Sequence, residues 1–426
     1  MTDIYEIAEY TLKALKDCGA DAAQCIVGRS KKDELNVDGG KFSLMRSTFN
    51  TSISMKAIKD GKKGVTSINQ ATKEAIDEAA AQCIAAAESS VPDEAEQIAP
   101  FTAKTEYKTG VFEPDLDKLF DRIEEFMSQT KKEYPKIILE QLISDYEHSE
   151  KLYMNTNETS LRYEHGEYSF NTMFSAHEGE KASSFNGYFC ALANLDKPFM
   201  DAGMQRQLLE ESEKQLDTVS PSEKFVGKVI YSPDCFNELL QTALENFASS
   251  GVLIDGTSPW KDALNTKVAS EKLNLRSVPL DGRTVVGQRF TSDGYPAEKM
   301  DIIVDGVLKT FILSQYGANK TGFPRALNGG NNLEVLPGDK TLEEMIAGID
   351  KGLIVNRFSG GQPSSNGDFS GVAKNSFLIE NGKVSSAVSE TMISGNIIDM
   401  LNNIVAISKE QTTDGLSFMP WAEFDG

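Results

Sequence analysis

At 426 residues the chain exceeds one ordinary domain, and its 40% hydrophobic and 25% charged content is that of a globular protein with ample core material. Its 64 acidic residues outnumber 43 basic ones, leaving a formal charge of −21. That balance argues against phosphate recognition and against anionic membrane surfaces, because the basic doublets Lys31-Lys32, Lys62-Lys63 and Lys131-Lys132 form no extended patch.

Residues 3–16 predict a helix, with Ile4, Ile7, Ala8, Leu12 and Leu15 on one face and Gly19 suited to a left-handed end. From residue 23 to 68, short extended runs such as 24–27 and 51–57 are punctuated by glycines at 39–40, 61 and 64, which predicts an antiparallel meander. Ile76, Ala79, Ala80, Cys83, Ile84 and Ala87 then recur at helical spacing. Residues 89–113 have no sustained period and read as a connecting segment with a sub-boundary. A helix follows Pro114, with Leu116, Leu119, Phe120, Ile123 and Met127 along one face. Residues 136–195 read as β-rich, with extended segments near 137–142, 152–154 and 168–174. A polar helix over 201–216 leads into Ser220-Pro-Ser-Glu-Lys224, which places a domain boundary between residues 222 and 223.

The second half opens with a strand at Lys228–Tyr231 and a helix from Ser232-Pro233-Asp234 spanning about 234–248. Its apolar stripe is Phe236, Leu239, Leu240, Ala243, Leu244 and Phe247. Asp305-Gly306 and Asn381-Gly382, each between apolar runs, predict type I′ hairpins. Thr341-Leu-Glu-Glu344 predicts a capping box, with Met345, Ile346 and Ile349 facing a core. The expected fold is α+β, with antiparallel sheets and packed helices: an N-terminal domain over 1–222 and a β-rich C-terminal domain over 223–426.

The search for chemistry is informative in its failures. Gly317-Ala-Asn-Lys-Thr-Gly322 is no P-loop, and there is no GxGxxG, no GxSxG and no acidic calcium loop. The cysteines Cys18, Cys25, Cys83, Cys190 and Cys235 are scattered without a CxxC pair, which predicts free thiols in a reducing compartment. With no basic stretch leading into an apolar one at residues 1–6 and no apolar run of membrane length, the reading is cytoplasmic. His177-Glu178 begins an HExxH, but Lys181 stands where the second histidine belongs. Beyond Cys235 there is no His or Cys, so side-chain metal binding there would rest on Asp and Glu. Two polar constellations remain. Ser359-Gly-Gly-Gln362, continuing through Ser370-Gly371, is either a surface turn or a wall in which Gly360, Gly361 and Gln362 let a ligand approach the backbone. The polar face of the 234–248 helix, Gln241, Thr242, Glu245 and Asn246, reads by composition alone as solvated.

From this helix onward the chain resembles the TldD/TldE (PmbA) family, once described as modulators of DNA gyrase. The ordered series runs through Ser249-Ser-Gly251, Ser292-Asp-Gly-Tyr-Pro296, Asp301–Leu308 and Asn332-Leu-Glu-Val335. It continues through Gly352-Leu-Ile-Val355, Ser359-Gly-Gly-Gln362, Phe377–Gly382, Thr391–Asn396 and Asn403-Ile-Val405. Catalytic TldD-type members carry HExxxH on the equivalent helix and a cysteine near the C-terminus. The resemblance puts those two histidines at Gln241 and Asn246 and the glutamate at Thr242, and Ser408–Gly415 offers no cysteine. A threonine cannot activate a metal-bound water as a glutamate does. The resemblance therefore implies the TldE (PmbA) branch: no catalytic residues, metal or cofactor of its own, and pairing with an HExxxH-containing TldD-like subunit. The family acts on unstructured peptides, including peptide-antibiotic precursors and antitoxins, gripping the backbone as an added strand. Two other readings stay open, a homodimeric peptide-binding protein and a hydrolase with an unrecognised site. Neither implies direct contact with nucleic acid or membrane.

Overall fold

The computed structural model describes residues 3–221, 224–361 and 363–426. Helix α1 (Ile4–Asp17) opens it, capped by the Asp3 carboxylate, which accepts from the Tyr5 and Glu6 amides at 2.9 and 3.0 Å. Strands β1 (Ala22–Asp38), β2 (Lys41–Lys59) and β3 (Lys62–Ile68) form the expected antiparallel meander. They are far longer than the apolar runs that signalled them, because charge pairs carry the ladder where apolar alternation stops. Lys31 meets Asp33 at 2.9 Å and Arg46 meets Glu34 across the strands at 2.9 Å.

Gly39, Gly40 and Gly61 take positive φ at turns. Gly64 does not. It lies inside β3 beneath helix α2 (Lys73–Ser89), and a Cβ there would stand 1.9 Å from the Cys83 carbonyl oxygen. Close approach of helix to strand, rather than a turn, requires that glycine. The buried face of α2 is the predicted one, Ile76 through Ala87.

The segment 89–113 contains a strand that sequence reading missed. β4 (Thr105–Gly110) pairs parallel with residues 161–166, and its side chains are never fully buried, so no hydrophobic alternation announced it. Helix α3 (Leu116–Glu133) is capped by Asp115, with Pro114 just outside. Its buried face is Leu119, Ile123, Phe126 and Thr130, turned from the predicted stripe, and Phe120 instead stacks on Phe42 with ring centroids 4.4 Å apart. Strands β5 (Ile137–Asn155) and β6 (Ser160–Glu178) pair along almost their whole length, and β7 (Lys181–Ala182) and β8 (Asn186–Leu192) add to β6. The sheet runs β3-β2-β1-β5-β6-β4. The predicted polar helix is a 3-10 turn, Phe199–Asp201, followed by α4 (Gln205–Lys214). Its buried Gln205 and Ser212 bond to Thr172 at 2.8 Å and Asn186 at 3.1 Å, which is how polar residues come to face the core.

Ser222 and Glu223, the expected boundary, lie outside the described residues. The next elements are β9 (Thr218–Val219), β10 (Lys228–Tyr231), α5 (Pro233–Phe247), α6 (Ser250–Ile254) and β11 (Leu275–Ser277). Then come the hairpin β12 (Met300–Val304) and β13 (Val307–Leu308), α7 (Gln315–Thr321), β14 (Leu333–Val335) and α8 (Leu342–Ala347). Strands β15 (Lys351–Val355), β16 (Arg357–Gly360), β17 (Asp368–Lys374), β18 (Ser376–Glu380), β19 (Lys383–Val388) and β20 (Thr391–Asn396) follow. Helix α9 (Ile397–Asn402), β21 (Ile404–Thr413) and β22 (Phe418–Phe424) close the order. The main sheet here runs β13-β12-β11-β14-β22-β10-β15-β18-β19-β9, with β21 on β22, and β16-β17-β20 form a small separate sheet. Both hairpin turns have the expected positive φ, Asp305 47° with Gly306 74° and Asn381 52° with Gly382 74°. The capping box at Thr341 and Glu344 is present.

The architecture is α+β. One apolar cluster joins the halves, with Phe126, Phe170, Phe199 and Leu209 packing against Ile354, Phe377, Ile379 and Trp421. The halves are also tied by Asp93, which accepts from the Tyr316 hydroxyl at 3.0 Å and pairs with Lys320 at 3.1 Å. No helix among the described residues is long and apolar enough to cross a membrane.

Candidate functional site at helix α5

Helix α5 begins where the sequence says it should. The Ser232 hydroxyl accepts from the Cys235 amide at 3.4 Å, Pro233 occupies the first turn and Asp234 adds a favourable negative charge. Phe236, Leu239, Leu240, Ala243, Leu244 and Phe247 are buried, and Phe236 meets Phe424 of β22 edge to face at 5.9 Å. That anchorage fixes the rotation of the helix and so decides where its polar residues point.

They point two ways. Asn237 and Gln241 border a cleft of about 660 Å³ between the halves, whose other walls include Lys151, Tyr163, Gln288 and Arg289. The Gln241 amide reaches back to Asn237 at 3.4 Å. Thr242 lies on the other flank, in a groove of about 290 Å³ lined also by Tyr231, Leu239, Phe358, Gly360 and Gly361. Its hydroxyl donates to the Glu238 carbonyl at 2.8 Å, within its own helix. Asn246 is half-buried one turn beyond Thr242. Five residues along an α-helix turn through about 140° beyond a full circle, so Gln241 and Asn246 lie on different flanks. Three neutral side chains, two amides and a hydroxyl, are not the donor set of a catalytic divalent metal.

The histidines are engaged separately. His148 Nε2 is 3.1 Å from Glu164, His165 Nε2 is 2.8 Å from Glu167, and His177 Nε2 is 2.9 Å from the Ser175 hydroxyl. Among the described residues no group of three or more His, Cys, Asp or Glu is placed to hold a metal. Cys235 and Cys190 are buried, and burial pushes both thiols up to about 12, which makes them inert rather than nucleophilic. Asp414, in the segment 408–415, accepts from the Leu416 and Ser417 amides at 2.9 and 2.7 Å and shapes a turn at the cleft.

The 359–371 segment is a hairpin, not simply a turn. β16 pairs with β17, and Gly360 faces Gly371. A Cβ on Gly360 would stand 2.7 Å from the Phe358 ring and 2.9 Å from the Gly371 Cα, so this glycine lets the ring lie across the strand pair. Gly361 has open space, and Gln362 lies outside the described residues. Among the described residues β16 pairs only with β17, and Phe358, Ser359 and Gly360 line the groove beside Thr242.

Sequence reading missed Glu238 and gave Asp234 no role beyond the start of the helix. Asp234, Glu238 and Thr242 recur at i, i+4 and i+8 and form one stripe. Glu238 and Cys235 join the groove to a neighbouring cavity of about 380 Å³, which Asp234, Thr172, Met173, Leu208 and Asn356 also line. Asp234 and Glu238 are both exposed residues, and it is desolvation by the surrounding wall, then the carboxylates of Asp414 and Glu238, that push the Asp234 carboxyl up to about 6. Desolvation raises Glu238 as well, and Arg357 opposes it. The i, i+4 spacing was a usable signal for these two. Nothing local announced Asn356, which arrives from the end of β15.

Solved structures share this architecture along nearly the whole chain. TldE from Thermococcus kodakarensis superposes with a TM-score of 0.81 at 20% identity, covering 98% of both chains. A protein from Bacteroides thetaiotaomicron described as a modulator of DNA gyrase gives 0.83 at 23% identity, covering 100% of this chain and 98% of that one. At such identities the likeness is one of fold, that of the TldE and gyrase-modulator structures. The sequence goes further. Residues 224–426 match the PmbA/TldA metallopeptidase C-terminal domain and residues 23–87 match PmbA/TldA metallopeptidase domain 1, together more than half of the chain. The chain belongs to the PmbA/TldD metallopeptidase family. Metalloprotease MJ0996 of Methanocaldococcus jannaschii is 29% identical over 206 residues, 45% of this chain and 44% of that protein. Metalloprotease PmbA of Escherichia coli O157:H7 is 31% identical over 155 residues, 36% of this chain and 34% of that protein. The matched segments thus span less than half the length of these curated relatives.

Proposed function

We propose that this chain is a non-catalytic subunit of a metallopeptidase, holding an unstructured peptide beside α5 while a TldD-like HExxxH-containing partner supplies the metal and the hydrolysis. The observation that carries this reading is the occupancy of α5: Gln241, Thr242 and Asn246 stand where the resemblance places metal ligands and general base. The edge of β16 that is open among the described residues supports the peptide role. Its backbone borders the groove, Gly361 leaves room beside it, and an extended segment could add to it as a strand. Gln362 is retained as a third contact in this proposal.

A partner surface is supported by β2. Residues 41–52 pair only with β1 among the described residues, and Leu44, Met45 and Phe49 are 42%, 70% and 73% exposed there. An open edge with large apolar side chains is a surface that soluble proteins ordinarily cover. The same edge would serve a homodimer, so assembly with an HExxxH-containing homologue is the discriminating measurement. Co-expressed from the same source, the two chains should co-elute and cleave an unstructured labelled peptide that neither cleaves alone, with a chelator abolishing turnover. Cleavage by this chain alone that survives the chelator would overturn the reading.

A further inference from the structure

Two cations meet in the cleft between the halves with no anion to balance them. Lys151, on β5, stands directly opposite Gly28 of β1 and Tyr163 of β6, so the three share the sheet face that floors the cleft. Gly28 keeps that floor open, since a Cβ there would stand 2.8 Å from the Ser52 hydroxyl. Arg289 enters from the second half. Its guanidinium lies 5.7 Å from the Tyr163 ring, and the Lys151 ammonium lies 5.8 Å from the Phe290 ring. Each cation thus reaches an aromatic ring of the other half. Because Lys151 pairs with Tyr163 and Phe290 follows Arg289, the two charges arrive at the same level of the cleft.

Ring contacts at this range are weak and leave a cation without a counter-charge. Among the described residues no carboxylate pairs with Lys151 or Arg289, and the carboxylates of the cleft wall are spent. Glu150 accepts from Arg162 at 2.6 Å and, opposite Arg29 in the β1–β5 ladder, projects from the other face of the sheet. Asp414 accepts from the Leu416 and Ser417 amides and from the Ser417 hydroxyl at 3.0 Å. Both cations nevertheless bear the cost of leaving water. Lys151 retains accessible surface, yet desolvation by the walls lowers its pKa, and the Arg289 Nε is buried without a hydrogen-bond partner. Beside them Gln288 commits its Oε1 to the Gly329 amide at 2.7 Å, which leaves its amide N–H groups for the cleft. In a chain of net charge −21, two unbalanced and partly desolvated cations beside spare amide donors form a receptor for an anion.

We propose that this cleft receives a carboxylate of the bound peptide, held between Lys151 and Arg289, one cation from each half. The guanidinium fork of Arg289 supplies paired N–H donors that match two carboxylate oxygens, and Lys151 adds a point charge beside them. Carboxylates are the anions an unmodified peptide carries, at its C-terminus or on Asp and Glu side chains. The proposal rests on the peptide-binding reading above but not on the groove along β16, which lies on the other flank of α5.

The test uses the full-length protein. Fluorescence anisotropy would follow an N-terminally labelled alanine pentapeptide in four forms: free acid, C-terminal amide, amide with central glutamate, and amide with central glutamine. The first pair reads a chain-end carboxylate and the second a side-chain carboxylate. Saturation-transfer NMR would compare butyrate with butyramide, which needs no peptide site. At least one carboxylate peptide should bind about tenfold tighter than its neutral match, and signal should transfer to butyrate but not to butyramide. Both preferences should vanish in K151Q/R289Q. Lys151→Gln alone, at a residue with accessible surface, should weaken them severalfold and keeps the test decisive if the double variant unfolds. Butyrate binding that depends on the two cations, with no peptide bound in any form, would uphold the cleft and sink only the peptide reading. No carboxylate preference in either pair together with no butyrate signal would overturn the proposal, as would a preference untouched by both variants.

Discussion

The side-chain amide of Asn356 donates to the carboxylate of Glu211 across 2.7 Å, joining the end of β15 to helix α4. Glu211 also accepts from Gln207 at 2.8 Å, and burial pushes its carboxyl up to about 7 from an ordinary 4.5. The folded state therefore keeps a proton that the unfolded chain releases between those values. Stability should fall as pH rises from about 4.5 through about 7 and level off above it. Glu211→Gln removes this dependence, because Asn356 can turn its amide to suit the new group. Thermal unfolding at pH 8 should show the variant more stable than the parent, by roughly 3 kcal/mol at most, with the gap closing at pH 5. A gap independent of pH would mean that Glu211 is ionised in the folded protein throughout.

A metal-binding prediction follows from the donor inventory of α5. Purified alone, the protein should carry no stoichiometric zinc by elemental analysis, and a chelator should leave its melting temperature unchanged. Metal near one equivalent would redirect attention to the histidines of β5 and β6.

Helix α5 allows a contrast between its two kinds of residue. Phe236 is fully buried against Phe424, so Phe236→Ala should cost about 3–5 kcal/mol in denaturant unfolding. Thr242→Ala removes only a hydroxyl bonded within its own helix and should change stability by less than about 0.5 kcal/mol. The same substitution should leave assembly with a partner intact. Comparable losses for both would show that the groove face of α5 is structural.

Gly64→Ala tests the contact between β3 and α2. The added carbon would stand 1.9 Å from the Cys83 carbonyl oxygen and 2.7 Å from the Ala87 nitrogen, both backbone atoms that cannot swing aside. The variant should unfold at markedly lower denaturant concentration, a loss of about 1–3 kcal/mol. Gly39→Ala, with open space but positive φ, should cost less.

Much of this architecture is legible in the sequence wherever a residue's role is local. The stripe from Phe236 to Phe247, the turns at Asp305 and Asn381, and the capping box at Thr341 each state their geometry within a few residues. What escaped did so for physical reasons. β4 buries no side chain fully, so it carries no apolar period. α3 turns its Phe126 inward because the Phe170 and Phe199 rings wait there, about 45 and 75 positions further along the chain. The site was half visible. Gln241 and Thr242 share one polar run in the sequence, yet neighbours on a helix can face opposite walls, and only the packing of Phe236 says which. Asn356 and Glu211 come together from distant elements and had no signal in common.

Strand β22, made from residues 418–424, occupies the middle of the second sheet rather than its rim, flanked by β14, β10 and β21, with every residue buried. During synthesis, then, β10 and α5 emerge nearly two hundred residues before the strand that completes their shelter. Until it arrives, the Phe236 face has no Phe424 to pack on and the ladder has a gap at its centre. The nascent second half should accordingly stay loose and chaperone-dependent until translation has passed Phe424, and shortening the chain upstream of Phe418 should leave no partially working remnant.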